Sequence, residues 1–273
     1  MTGRKRYAIE SGVFPVLLGI ALWEVMARSA GGDQGMLLPP PSAVLLELER
    51  LTASGALPRH LLASLLRVLA GLTLGSVAGI ATGMAMGYSP RVRALLRPLV
   101  SLLCPIPALG WLPLLMIWVG LGELLPVLVI VICSFFPICY NTASGIENAD
   151  PRALRAARTL GASELRVLVT IALPLALPDI FTGLRLEVGM AWRVIIAAEM
   201  VAIPSGLGAL MMQAESVLRV DTILATLVVL SVMCFCFEKL LLAIERRLTE
   251  PRGTPSPCAT SRSSTFATTP AAE

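Results

Sequence analysis

Four ionisable residues stand close together in one apolar stretch: Arg185, Glu187, Arg193 and Glu199. Charged side chains inside a hydrocarbon layer are costly, and they commonly serve a function. Arg193 follows Trp192, and a guanidinium beside an aromatic ring can receive an oxyanion such as a sulfonate. The same residues also fit a structural role, in which Arg193 forms an ion pair with Glu199 or with Glu24. Trp192, Arg193 and Glu199 are therefore candidates for a substrate pathway, and both interpretations stay open.

The residue types needed for metal binding or covalent catalysis are scarce. The chain has one histidine, His60, and its six cysteines lie mostly in apolar stretches without paired spacing. We therefore expect no metal site and no disulfide framework. The Gly-x4-Gly-Lys-Ser/Thr phosphate loop is missing, and the only lysines are Lys5 and Lys239. Without a nucleophile and base pattern, nothing favours an intramembrane enzyme.

Long apolar stretches must position these residues. Of the 273 residues, 56% are hydrophobic and 15% are charged, and the mean hydropathy is +0.79. A soluble domain carries about 25% charged residues, whereas about 20 apolar residues can cross a bilayer as a helix. We expect an all-α, polytopic membrane helix bundle with about six transmembrane helices. The predicted spans are 13–30, 61–87, 98–119, 124–143, 179–201 and 222–244.

The distribution of positive charge predicts the orientation of these spans. Of the 22 Lys and Arg residues, 14 lie in segments on the side of both termini, 3 lie in segments on the other side, and 5 lie within the predicted spans. Cytoplasmic segments carry the excess of Lys and Arg. We therefore expect a multi-pass protein of the inner membrane with both termini cytoplasmic. The net charge of +4 is modest and gives no reason to expect nucleic-acid binding.

The spans divide the chain into three parts. Residues 1–12 form a cytoplasmic N-terminus, 13–248 a transmembrane domain, and 249–273 a C-terminal tail. The tail is rich in Pro, Ser and Thr and poor in large apolar residues, which is typical of disorder.

Glycines recur at every fourth residue of the second span, at Gly71, Gly75, Gly79, Gly83 and Gly87. On a helix this spacing places them along one face. Small residues on one face let a neighbouring helix approach closely within a membrane. The pattern predicts a tightly packed helix, and a direct part in the substrate path is the alternative.

Three prolines interrupt the third span, Pro105, Pro107 and Pro113, around Gly110-Trp111. Proline removes a backbone donor and frees a carbonyl group. Membrane proteins tolerate this where protein or a wet cavity satisfies the freed group. Two interpretations stay open, a broken helix that lines a pathway and a simple kink packed against its neighbours.

The longest inside segment, residues 144–178, carries the signals of two short helices. Asp150-Pro151 is a typical helix start, and Gly161 lies where a helix commonly ends in a left-handed residue. Ser163-Glu164 can begin a second helix, which Leu173-Pro174 is expected to stop. Both helices have apolar surface. This surface can pack on the bundle of the chain itself or bind a partner, and the residues alone favour neither.

The same segment resembles the EAA loop of binding-protein-dependent ABC importer permeases. That pattern is Glu-Ala-Ala, three residues, Gly, nine residues and Ile-x-Leu-Pro, and every spacing matches. The matching residues, which the resemblance assigns to ATPase coupling, are Arg155, Ala156, Ala157, Gly161, Ile171, Leu173 and Pro174. Arg155 stands where the family usually has Glu. Either the salt bridge of that Glu to the ATPase is lost, or the partner carries a compensating charge.

Three further segments, in the right order along the chain, are similar to the nitrate, sulfonate and taurine branch of that family. They are Leu38–Ser42, Pro105–Leu114 and Ala191–Gly208. This similarity implies import of a small solute, in particular an anion such as nitrate, taurine or an alkanesulfonate.

The resemblance implies a permease subunit of an ATP-driven importer, not an enzyme. Its expected partners are cytoplasmic ABC ATPase subunits, which use ATP and Mg²⁺, an extracytoplasmic solute-binding protein, and a second permease subunit in a homodimer. The helices of residues 151–172 would sit in an ATPase groove and convert ATPase closure into opening of the bundle. An ATP-independent secondary transporter or channel is the alternative, although no inverted repeat is evident.

Overall fold

The computed structural model describes residues 3–29 and 38–249, which fold into helices and short connections. In chain order the helices are α1 (Gly3–Ser29), α2 (Pro41–Ala53), α3 (Ala56–Tyr88), α4 (Pro90–Leu103), α5 (Leu112–Val119), α6 (Leu124–Glu147), α7 (Pro151–Thr159), α8 (Glu164–Val167), α9 (Leu173–Ala202), α10 (Leu207–Ser216) and α11 (Val220–Thr249). A 3₁₀ turn at Ala108–Trp111 precedes α5, and a wider π-type turn at Leu168–Ala172 joins α8 to α9. The predicted all-α fold class is confirmed.

Four segments of the described chain are long and apolar enough to cross a membrane. They are α3, α6, α11 and the continuous helical segment Glu164–Ala202, which contains α9. Counted as one bent span, α4 and α5 make a fifth. The first predicted span, 13–30, falls on α1 and stays a prediction, and nearly all of the predicted tail, 249–273, lies outside the described residues.

The third predicted span is broken rather than gently kinked. α4 and the segment Ala108–Val119 meet at an angle of 92°. Pro105 and Pro107 lie at the break, where neither can donate a backbone hydrogen bond that would continue α4. Residues 104–107 are exposed in the single chain. The structure therefore has the broken helix and not the simple kink, the other interpretation of the prolines.

α3 packs along α6 at a distance that only glycine permits. A Cβ atom added to Gly75 would lie 2.8 Å from the carbonyl oxygen of Val131, and one on Gly83 would lie 2.6 Å from that of Cys139. Real Cβ contacts essentially never fall below 3.0 Å. The tight helix packing predicted from the glycine spacing is confirmed.

α3, α6 and α9 form the centre of the bundle, and α11 packs against α9. Trp192 is fully buried in this core, and its ring contacts that of Phe237 edge to face at a centroid distance of 5.5 Å. Aromatic pairs favour this geometry because the positive ring edge faces the negative ring surface. The core therefore fixes the rotation of α9, on which the candidate residues lie.

The expected helix stop at Leu173-Pro174 is wrong. The chain stays helical from Glu164 to Ala202, because the π-type turn before Pro174 changes the hydrogen-bond spacing. The N–H of Leu173 donates to the carbonyl of Leu168, five residues back. Pro174 directly follows this wider turn, whose changed hydrogen-bond spacing accommodates the missing N–H within the continuous helical segment.

Candidate functional site

α7 begins and ends as its local sequence predicts. The N–H of Arg152 donates to the carboxylate of Asp150 at 2.8 Å. At the other end, the N–H of Gly161 donates to the carbonyl of Arg158 at 3.0 Å, and that of Ala162 donates to Ala157 at 3.1 Å. This pair of bonds is the Schellman motif. It requires the φ of +81° that Gly161 adopts, a value that side-chain-bearing residues rarely tolerate.

An ion pair spans the turn between α7 and α8. Arg158 Nε lies 2.8 Å from Glu164 Oε1, and both side chains are about half exposed. Pairs exposed to this extent contribute about 0–1 kcal/mol. Backbone hydrogen bonds and packing therefore determine the angle of the turn, and the ion pair adds little.

The inner face of this loop packs on the chain's own bundle. Leu154 and Leu168 lie against Ile146 of α6 and Ile180 of α9. Val167 is 3% exposed. Burying side chains of this size contributes about 1.5–3 kcal/mol each, far more than the ion pair. The loop is anchored to α6 and α9 through these residues.

The outer face of the same loop is open to solvent. Leu160, at the end of α7, is 88% exposed, and Leu165 of α8 is 65% exposed. Arg155 and Ala156 are exposed as well, whereas Ala157 is buried. The two interpretations of the apolar surface thus apply to different faces. One face packs on the bundle, and the other is available to a partner.

The last three residues of the loop motif join the loop to the membrane span. Ile171 lies half-buried in the π-type turn, and Leu173 and Pro174 open α9. They are part of a continuous helix and not of the exposed outer face.

The three candidates for a substrate path do not come together. Trp192 lies in the core, and Glu199 is fully buried on another side of α9. Arg193 is exposed, and its Nη1 lies 3.6 Å from the sulfur of Met190. The predicted ion pair between Arg193 and Glu199 is wrong, because a separation of six residues places the two side chains on different faces of the helix.

The alternative partner of Arg193 is also excluded. Glu24 on α1 accepts a hydrogen bond from Arg28 at 2.6 Å and one from the hydroxyl of Ser42 at 2.8 Å. These contacts join α1 to the start of α2. Glu24 therefore serves the packing of α1 and lies outside the candidate path.

Arg67 organises a polar network that the sequence patterns did not indicate. Its guanidinium donates to Glu199 at 2.7 Å and to Glu123 at 2.7 Å. Glu199 also accepts from the hydroxyl of Ser64 at 2.8 Å and from the N–H of Gly208 at 3.0 Å. These donors offset the desolvation of a fully buried carboxylate. Together they join α3, α9, α10 and the residue before α6.

A second buried carboxylate faces a cavity at the break between α4 and α5. Glu187 of α9 is 5% exposed, and it lines a cavity of about 160 Å³ together with residues 104–108, Cys133 and Met190. The thiol of Cys133 lies 3.5 Å from a carboxylate oxygen of Glu187. The available sequence signal was Glu187 within an apolar stretch, but its neighbours across the bundle depend on tertiary packing.

The described residues contain no group of three or more His, Cys, Asp or Glu side chains that could hold a metal ion. The five cysteines between residues 104 and 236 are free thiols. The site chemistry that the described part of the chain offers is therefore that of charged side chains, hydrogen bonds and apolar surface.

Comparisons with known proteins agree with this architecture. The family of binding-protein-dependent transport system inner membrane components matches residues 71–250. The taurine transport system permease protein of Escherichia coli (strain K12) is 40% identical over 225 residues, which cover 80% of this chain and 81% of that protein. The putative aliphatic sulfonates transport permease protein of Bacillus subtilis (strain 168) is 32% identical over 246 residues, which cover 90% of this chain and 89% of that protein.

Solved structures of lower identity share the fold. An inward-facing MetNI methionine ABC transporter matches with a TM-score of 0.61 at 16% identity, over 68% of this chain and 93% of that chain. An amino acid ABC transporter matches with a TM-score of 0.60 at 21% identity, over 74% of this chain and 96% of that chain.

Proposed function

This chain belongs to the family of binding-protein-dependent transport system inner membrane components, and on that premise we propose that it imports a small organic sulfonate. As a member of this family it is a multi-pass inner-membrane permease of an ATP-driven importer, and not an enzyme. Its solute arrives on a binding protein, and a separate subunit hydrolyses ATP. This membership sets aside an ATP-independent transporter or channel. Relatives named for taurine and for aliphatic sulfonates favour a sulfonate over nitrate.

The outer face of residues 151–172 is the proposed contact with the ATPase, which uses ATP and Mg²⁺. One observation supports this assignment most directly. Leu160 is 88% exposed, on a turn that packing against α6 and α9 holds in place. For coupling, the ATPase must bind one state of the permease better than the other. A change of population from 1:99 to 99:1 requires a difference of about 5.5 kcal/mol. An apolar, anchored turn can transmit such a difference, whereas a mobile loop would lose it.

Arg193 is the proposed recipient of the sulfonate group. Its guanidinium is exposed, and no carboxylate of the described residues lies within ion-pair distance of it. A guanidinium can hold two oxygens of a tetrahedral anion at once. Trp192 supports Arg193 only indirectly, because its ring fixes α9 in the core. Glu199 takes no part in the proposed binding, because it is paired with Arg67.

A second copy of the chain completes the proposed pathway. The broken span leaves residues 104–107 exposed, and Ile117 and Trp118 of α5 are 81% and 69% exposed. A single chain therefore lines only one side of a path at the break. This arrangement supports the homodimer that the family resemblance implies.

Both termini are proposed to be cytoplasmic. Arg93 and Arg97 of α4 lie 3.0 Å and 3.4 Å from the carboxylate of Glu147. The carboxyl end of α3, at Tyr88, lines one cavity with Leu154 of α7. Segments that the charge distribution places inside therefore lie together at one end of the bundle, which supports the orientation.

The proposed function is tested by uptake into proteoliposomes that contain the permease, its ATPase and its binding protein. We expect ATP-dependent uptake of labelled 2-aminoethanesulfonate. Arg193→Gln should lower the rate about tenfold, because a charged hydrogen bond contributes about 1.5–3 kcal/mol. The matched control is Arg50→Gln, which removes an exposed arginine of α2.

Two outcomes would count against the proposal. If the wild-type complex moves no sulfonate, the substrate class is wrong. Unchanged uptake by Arg193→Gln would remove this arginine from the pathway and leave the substrate class intact.

A further inference from the structure

Three arginines on the exposed side of the loop have no acidic partner within the described chain. Arg152, Arg155 and Arg166 are all exposed, and no carboxylate of the described residues lies within ion-pair distance of them. An arginine in open water needs no partner, so this observation alone indicates a solvated surface. The apolar residues of the same surface change that interpretation, because Leu160 is 88% exposed and Leu165 is 65% exposed. Exposed apolar residues with unpaired charges beside them are typical of a protein interface, which has an apolar centre and a polar rim.

The carboxylates near these arginines are already engaged by other groups. Asp150 caps the start of α7 through a backbone N–H at 2.8 Å, and Glu164 lies in the ion pair with Arg158. Glu147, at the end of α6, lies 3.0 Å from Arg93. The described residues therefore leave a net positive charge on the exposed side of the loop, and any surface that binds there must accommodate it.

Lipid headgroups are the other source of negative charge at this end of the bundle. The helical segment Glu164–Ala202 has 39 residues and a length of roughly 58 Å. A bilayer with its headgroups is about 40–45 Å thick. With Ala202 at one surface of the membrane, the start of α8 extends beyond the headgroups of the other surface. The exposed side of the loop is therefore better placed for a soluble protein than for lipid.

We propose that the ATPase groove that receives this loop is acidic, and that one of its carboxylates binds Arg155. The inference rests on the proposed function, in which the outer face of residues 151–172 contacts the ATPase. Arg155 stands where the family usually has Glu, so a groove suited to this chain carries the opposite charge to a groove suited to that Glu. A guanidinium can hold a carboxylate through two parallel hydrogen bonds. The pair also gives selectivity, because like charges exclude an ATPase whose groove is basic at this point.

Binding of the purified ATPase to the full-length permease in lipid nanodiscs tests the sign of this charge. The discs contain only phosphatidylcholine, which has no net charge. We expect Arg155→Glu to weaken binding at least about tenfold, although it restores the residue usual in the family, because like charges then meet at the interface. An increase of KCl from about 50 to about 300 mM should weaken the wild-type complex several-fold, because salt screens exposed charges.

A control and a rescue separate this charge pair from a general effect of the substitution. Arg247→Glu makes the same change at an exposed arginine in the last turn of α11 and should leave the affinity unchanged. Each exposed carboxylate of the ATPase is then replaced with Lys in turn. One of these changes should restore the binding of Arg155→Glu to within about threefold of wild type, since two residues in contact are coupled.

Four results would count against the inference, and one of them also reaches the proposed function. Equal or tighter binding by Arg155→Glu, or the absence of any Lys substitution that restores it, overturns the acidic groove. If Arg155→Glu weakens binding only in discs that contain phosphatidylglycerol, the arginine meets lipid instead. Leu160→Asp tests the contact itself. If Leu160→Asp alone weakens binding, the contact stands without the acidic groove, and if neither variant does, the proposed contact fails as well.

Discussion

Arg67 and Glu199 form an ion pair that is closed to solvent, with 6% and 0% of their side chains exposed. Removing one partner of such a pair leaves an uncompensated charge and costs about 3–5 kcal/mol. Arg67 also binds Glu123, but that carboxylate is 69% exposed. Exposed pairs contribute about 0–1 kcal/mol. The two carboxylates thus share one arginine and differ mainly in their burial.

This difference in burial makes Glu199 and Glu123 a matched pair of positions for substitution. We expect Glu199→Gln to lower the stability of the permease by about 3 kcal/mol, because Arg67 stays buried without its inner partner. Glu123→Gln should cost about 1 kcal/mol or less. Thermal unfolding of the two variants in the same detergent measures both effects. Equal falls in melting temperature would contradict a buried, stabilising role for Glu199.

Burial and pairing at single residues were only partly predictable. The charged residues of the apolar stretch were evident from composition, but their partners come from helices far away in the chain. Arg67 and Glu199 are 132 residues apart. Arg193 and Glu199 are near in sequence, and this nearness favoured a pair that helix geometry does not allow.

The turn between α7 and α8 depends on the backbone conformation of Gly161. No atom lies within 4 Å of the position that its Cβ would occupy, so a larger side chain has room. The constraint is the φ of +81°, which costs other residues about 1–2 kcal/mol, whereas Asn adopts it more readily. A substitution at this position therefore tests the turn without creating a clash.

We expect Gly161→Val to reduce the solute imported per ATP hydrolysed, because the strained turn displaces Leu160 and the start of α8. Gly161→Asn should preserve coupling, since it keeps the left-handed conformation. Uptake and ATP hydrolysis are measured together in proteoliposomes, with co-purification of the ATPase as a check on assembly. Coupled transport by both variants at the wild-type level would count against a role for the turn.

The local sequence predicts the helices of this loop correctly wherever a single residue determines the backbone conformation. Asp150 and Gly161 set the ends of α7 through hydrogen bonds that need no tertiary contact. The prediction that Pro174 ends the helix was wrong, because the π-type turn before it accommodates the missing backbone N–H. The break at Pro105 and Pro107 was one of two predicted outcomes, and the angle of 92° depends on packing against α6 and α9.

At the scale of the whole molecule, one continuous helical segment connects the sites. Residues Glu164–Ala202 run from the exposed loop, past Glu187 and Arg193, to the network around Glu199. Its 39 residues correspond to a length of roughly 58 Å. Because Pro174 does not interrupt it, a displacement of the loop can reach the far end of the bundle through a single continuous helical segment.

Hydropathy and charge were sufficient to predict the membrane class and most spans, because both follow from the cost of placing polar groups in lipid. The close approach of α3 to α6 was predicted by the glycine spacing, which needs no knowledge of the partner helix. The cavity at Glu187 could not be predicted, because it combines residues of three separate segments.

The outer face of residues 151–172 is the proposed contact with the ATPase, and one measurement tests that contact directly. The most direct test places a photo-cross-linking amino acid at Leu160 in the reconstituted importer, with the same group at Leu121 as control. Leu121 is 65% exposed in the connection between α5 and α6. We expect a covalent adduct between position 160 and the ATPase and none from position 121. An intact complex without an adduct at 160 would contradict the proposed contact.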